Sequence, residues 1–220
     1  AGAALGAVLD TGWGRAWIAQ ASGALVYLTA LLLYRGGEAA GGWRVAAAAA
    51  VILAAGTAWS GHAAAVEELR GAALAADALH VLGAGAWMGT LALVLGVGFP
   101  AALGASSGGR SAGVLALVRA FSPVALAGAG VAAATGVVSA LFHVGAPAEL
   151  WETAYGRALL FKLALVALAL AAGFRNWRRT TPALERGGDA GPLRRTAAWE
   201  VAAGVLVVLA TAVLVALPPP

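Results

Sequence analysis

Residues 201–217 read VAAGVLVVLATAVLVAL: seventeen positions with no charge and one polar side chain, Thr211. Extended slightly upstream to 197–217, this stretch makes a helix able to cross the roughly 30 Å hydrocarbon core of a bilayer at about 1.5 Å per residue. Five more stretches share its character: 17–34, 45–62, 73–98, 120–143 and 157–176. Lipid offers backbone N–H and C=O groups no partners, and none of the stretches alternates as barrel strands do, so each is expected to be a helix. The expected fold class is therefore all-α, a polytopic membrane bundle of six transmembrane helices. Composition agrees: hydrophobic residues make up 61% of the chain and charged residues 11%, with a mean hydropathy of +0.86. Soluble domains carry about 25% charged residues. Pro123 is expected in the first turn of the fourth helix, where a missing N–H costs little. Gly85, Gly89, Gly128, Gly130 and Gly136 would allow close helix contacts.

The loops set an expected orientation. A net charge of +4 and a pI of 10.3 would suggest nucleic acid for a soluble chain, but here the basic residues lie between apolar segments and no nucleic-acid partner is expected. Loops 35–44, 99–119 and 175–196 hold Arg35, Arg44, Arg110, Arg119, Arg175, Arg178, Arg179, Arg186, Arg194 and Arg195, against Arg15, Arg70 and Arg157 on the other side. Ten against three puts the first set in the cytoplasm and both termini outside. Seven of the eight Trp fall near segment ends, as interfacial anchors do, with Trp87 the exception. The chain has no cysteine, which excludes disulfides and thiolate ligands.

One phrase occurs twice. Residues 9–17 read LDTGWGRAW and residues 151–159 read WETAYGRAL, with Thr11/Thr153, Gly14/Gly156, Arg15/Arg157 and Ala16/Ala158 in register. Both copies are expected outside and both lead into an inward-running helix, so the repeat is parallel. Helices five and six would then correspond to helices one and two. Residues 71–220 form a complete four-helix unit, and residues 1–70 the second half of another. Since the chain opens on Ala1 with no recognisable signal peptide, the other half is expected upstream. Lys162 aligns with Gln20. Lys162 and Glu200, with Arg15 and Arg157, are expected to be structural polar groups.

The three histidines, His62, His80 and His143, all fall on the outer side. Asp77 precedes His80 by three residues on one helix face, where its carboxylate could hold one imidazole nitrogen and aim the other. Thr135, Ser139 and His143 are spaced i, i+4, i+8, a polar stripe along helix four. Ionisable groups inside membrane helices usually serve function, so a metal or haem site is expected; interfacial hydrogen bonding is the alternative. Neutral imidazole suits copper, zinc, nickel or haem iron. Met88 lies about 12 Å along the helix from His80, too far for one coordination shell. It is either a second metal station or a core side chain. No nucleophile elbow, phosphate loop or facing carboxylate pair appears, so an enzyme is not indicated.

These stretches resemble the copper resistance D (CopD) family of bacterial inner-membrane proteins. The resemblance rests on SGHAA at 60–64, DALHVLGAGAWMG at 77–89, FSPVAL at 121–126 and Thr135-Gly136. It continues in ETAYGRALLFKL at 152–163 and LRRTAAWEVAAGVLVVLATAVLVALPP at 193–219. It implies copper handling at the inner membrane, with the family's histidines falling on His62 and His80 and less firmly on His143. A single Met departs from a Met-lined Cu(I) path. The reading expected on these grounds is a copper-binding permease-like protein that takes copper from outside through histidines. A periplasmic copper-binding protein or other membrane subunits would be its partners beside the lipid bilayer. A haem-b electron-transfer subunit with two axial histidines is the alternative, and a structural subunit of a larger membrane complex the third.

Overall fold

The computed structural model describes residues 2–33, 39–104, 110–186 and 191–220. Arg35, counted above among the cytoplasmic basic residues, lies outside them. Among the described residues all regular structure is helical. The elements are α1 (Gly2–Leu9), α2 (Gly12–Leu33), α3 (Ala39–Ser60), α4 (Arg70–Leu93), α5 (Phe99–Gly104), α6 (Arg110–His143), α7 (Glu149–Glu152), α8 (Ala154–Arg175), α9 (Thr181–Glu185) and α10 (Gly191–Ala216). A 3-10 turn, His62–Ala65, follows α3, and π-type turns at Val94–Gly98 and Asn176–Thr180 carry α4 into α5 and α8 into α9. Five segments are long and apolar enough to cross a membrane: Gly41–Ser60, Arg70–Ala102, Ala112–His143, Ala154–Ala183 and Arg194–Ala216. Helix α2 has the length, with 22 residues, but carries Arg15 and Gln20 in its first half. Most large apolar side chains, such as Leu28, Val51, Leu126, Leu168 and Val208, are exposed, as a lipid-facing surface requires. The seven Trp near segment ends are exposed as well, while Trp87 is half-buried.

The fourth helix departs from expectation. It begins at Arg110, so Pro123 lies in its interior and not in its first turn. Proline there removes one backbone bond, to the carbonyl of Arg119. In apolar surroundings every remaining bond favours helix, and that single loss does not end it.

The chain forms two compact units. The first comprises Ala1–Gly83 and Val131–His143, the second Ala84–Gly130 and Val144–Pro220. In the first, α2 packs along α3 through small residues: Ala16, Ala30, Ala46, Ala49, Ala54 and Ala58 are buried, and a Cβ on Gly23 would stand 3.1 Å from the Leu53 backbone nitrogen. Without a hydrophobic drive in lipid, close backbone approach is what holds such a pair, and hydrogen bonds add to it. Gln20 supplies two, from Nε2 to the Gly56 carbonyl (3.1 Å) and to Ser60 Oγ (2.8 Å). In the second unit α8 packs along α10, and Leu91, Phe99, Val114 and Ala197 form a buried cluster on which Met88 rests.

The repeated phrase builds the same turn twice. Thr11 Oγ1 accepts from the Gly14 amide at 3.0 Å and donates to the Val8 carbonyl at 2.7 Å; Thr153 Oγ1 accepts from the Gly156 amide at 2.9 Å and donates to the Glu149 carbonyl at 2.7 Å. Each Thr thus caps a long helix and ties it to the short helix before it. The glycine completes the device. A Cβ on Gly14 would collide with the Val8 carbonyl and Leu9, and one on Gly156 with the Glu149 carbonyl and Leu150. Arg157 closes its copy by donating to the carbonyls of Trp151 and Glu152, both at 3.1 Å. Arg15 is exposed.

Candidate metal site

His62, His80 and His143 all belong to the first unit. His62 was expected to end the second helix, but α3 stops at Ser60. Gly61 is extended (φ −95°, ψ −174°) and His62 opens the 3-10 turn. The Gly61 amide has already tightened onto the Ala58 carbonyl, so the chain leaves the helix one residue before the imidazole.

His143 is the last residue of α6 and brings its ring within reach of His62. The two ring centroids are 6.0 Å apart with their planes at 62°, and the Nε2 atoms of both rings are buried. Nδ1 of His143 lies 2.6 Å from the Ser139 carbonyl. A carbonyl only accepts, so Nδ1 carries the proton and Nε2 the lone pair. Ser139 Oγ is buried and has no hydrogen-bond partner among the described residues.

His80 is held in the same way at another level of α6. Its Nδ1 lies 2.8 Å from the Ala132 carbonyl, which again directs the lone pair to Nε2. The ring reaches that carbonyl because Gly136 has no side chain: a Cβ there would sit 3.1 Å from Cε1 and 3.2 Å from Nδ1. Gly136 precedes His143 by seven residues, about 10 Å along the helix. His62 and His143 therefore form a pair, and His80 stands about two turns away along the same helix. Among the described residues no three His, Asp or Glu side chains converge on one point.

The remaining expected residues have defined places. Asp77 faces the turn that leads into His62, its Oδ2 3.7 Å from where a Cβ on Gly61 would be. Thr135 Oγ1 donates to the Val131 carbonyl at 2.7 Å and so serves its own helix. Met88 lies in the second unit against Gly204, its Sδ 3.0 Å from the position of a Cβ there. Lys162 is half-buried on α8. Glu200 accepts from Asn176 Nδ2 at 2.6 Å, and both are buried. Asn176 and the carbonyls of Ala132 and Ser139 escaped the sequence reading. The Asn176 position carried a signal, since a lone amide in GFRNW sits where an apolar span ends. The carbonyls carried none.

Two half-buried imidazoles with buried Nε2 atoms thus stand side by side in a membrane protein whose described regular structure is all helical, with five segments long enough to span a bilayer. Comparison with known proteins gives the family. Residues 115–214 match the family model for copper resistance protein D, and residues 1–72 match that for the copper resistance protein D-like N-terminal domain. The chain belongs to the copper resistance D family. The copper transport protein CutJ of Bacillus subtilis (strain 168) is 32% identical over 221 residues, which cover 97% of this chain and 38% of that protein. The chain thus spans less than two fifths of its curated relative. No solved structure matches it.

Proposed function

We propose that this chain takes up copper at the outer face of the bacterial inner membrane through His62 and His143, and passes it to His80 as part of a copper transport system. The observation that carries the reading is the imidazole pair. At a metal–nitrogen distance of about 2.0–2.1 Å, two imidazoles on one ion place their centroids roughly 5–6.5 Å apart, depending on the angle between them. The rings of His62 and His143 stand at 6.0 Å. The Ser139 carbonyl presets the His143 tautomer, as the partners of metal-binding histidines do. Two protein ligands leave coordination positions open, which suits cargo that must arrive and depart. Ser139 Oγ and Asp77 border the route, and the Ala132 carbonyl prepares His80 as the next acceptor.

The orientation rests on the ten-to-three bias of basic residues, which puts both ends of the chain and the histidine pair outside. Helix α2 serves as a sixth span, with Arg15 and Trp13 at the interface and Gln20 bonded to α3. The matched Thr–Gly turns support a parallel duplication in which residues 1–70 are half of a first unit and 71–220 a second, complete one. A periplasmic copper-binding protein is the expected donor, and no chemical conversion of a substrate is proposed.

The test is retention and colour. Purified protein incubated with copper and passed over a desalting column should keep about one copper per chain and show no Soret band. A Soret band that sharpens on reduction would replace copper by haem b. Loss of all copper without such a band would leave the structural-subunit reading.

A further inference from the structure

The second unit buries a carboxyl group that the copper reading does not use. Glu200 is 4% exposed on α10, within the membrane-length segment Arg194–Ala216. Its one hydrogen-bond partner among the described residues is Asn176, 8% exposed, whose Nδ2 donates to Oε1 at 2.6 Å. The other carboxyl oxygen, Oε2, points at Gly173, 3.5 Å from where a Cβ would be, and a glycine has no side-chain donor to offer. On the amide, Oδ1 is buried and has no hydrogen-bond partner among the described residues. Two acceptors, Oε2 and Oδ1, are thus left on neighbouring planar groups with no donor supplied by the described residues.

The charged groups on the surrounding elements do not fill the gap. On α8, Arg175 is exposed, and Lys162 and Arg157 precede Gly173 by 11 and 16 residues, roughly 16 and 24 Å along the helix. Arg178 and Arg179 in the turn after α8 are exposed, the former with its guanidinium over the Phe174 ring. Arg194 and Arg195 on α10 are exposed, and the turn Val94–Gly98 that packs on α10 has no titratable side chain. A carboxylate buried without a cation is among the least favourable groups a membrane segment can hold.

We propose that Glu200 and Asn176 form a proton-binding site within the membrane-spanning part of the chain. A proton on Oε2 donates to Asn176 Oδ1 while Asn176 Nδ2 donates to Oε1, closing a cyclic acid–amide pair. The proton cancels the buried charge and supplies the one donor that both acceptors lack. Carboxyls that gain and lose a proton inside a helical bundle are the elements by which transporters draw on a proton gradient. The site therefore gives this chain a place where proton movement can be coupled to its cargo.

The test is infrared spectroscopy of the purified, copper-free protein at neutral pH, so its outcome does not depend on the copper site. The wild-type minus Glu200→Gln difference spectrum should contain the C=O stretch of one protonated carboxyl, shifted downward in D2O. The glutamine variant is a fair reference, because its side-chain carbonyl can accept from Asn176 and its amide can donate back, which keeps the pair and the fold. Carboxylate bands in place of the C=O stretch would overturn the proposal. Asn176→Ala provides a second arm: the C=O band should move to higher wavenumber as the carboxyl loses its partner, and an unmoved band would also overturn it.

Discussion

Replacing His62 and His143 together by alanine is expected to lower copper affinity by more than about 100-fold, measured by competition with a chromogenic copper chelator. Changes to groups that merely orient a ligand cost about 10–100-fold, and here both ligands themselves are removed. Either single replacement leaves one imidazole, already positioned, and should fall between the double variant and wild type. Gly136→Ala is the contrasting change. Its methyl would stand 3.1–3.2 Å from the His80 ring and force that ring off the Ala132 carbonyl. It leaves the pair itself untouched. Affinity at the pair should stay near wild type while copper passage slows. Wild-type affinity in the double variant would return both histidines to a packing role.

Alanine at Gly14 or Gly156 is expected to destabilise the protein by about 1–3 kcal/mol, the range for forcing atoms into a filled space. At Gly14 a Cβ would stand 2.5 Å from Leu9 Cα, and at Gly156 2.5 Å from Leu150 Cα. Both obstacles are backbone, so the short helix before each cap has to move as a whole. Gly85 and Gly89 are the controls. A Cβ at either meets nothing within 4 Å, so alanine there should stabilise by roughly 0.5–1 kcal/mol through lower chain entropy. Thermal unfolding in detergent separates the two signs. If Gly14 accepted alanine while Gly156 did not, the two turns would not be equivalent and the duplication would lose its main support.

Much of the architecture was legible because lipid allows so few solutions. The apolar runs at 73–98, 120–143 and 157–176, and all but the last one or two residues of those at 45–62 and 197–217, lie on helices long and apolar enough to cross a membrane. Their ends were less legible. Helix α6 starts ten residues earlier than the apolar run because Arg110 and Arg119 are no obstacle to a helix, only to lipid burial. His62 lies two residues past the end of its helix because an extended Gly61 intervenes, a backbone choice that the apolar pattern does not record. The site divides in the same way. That the histidines are of interest could be read from their rarity. That His62 meets His143 while His80 stands apart depends on contacts such as His80 Nδ1 to the Ala132 carbonyl, 52 residues on, and no local spacing encodes those. The Asp77–His80 spacing is visible in the sequence, whereas the Ala132 carbonyl at His80 Nδ1 is not.

The most direct measurement of the central claim is X-ray absorption at the copper edge of the copper-loaded wild-type protein. Two imidazoles on one ion predict nitrogen scatterers near about 2.0 Å, with the multiple-scattering pattern of histidine rings, and no sulfur shell. The pattern should vanish with the bound copper in the His62→Ala, His143→Ala double variant. A sulfur shell from Met88, or an unchanged imidazole pattern in the double variant, would contradict the account.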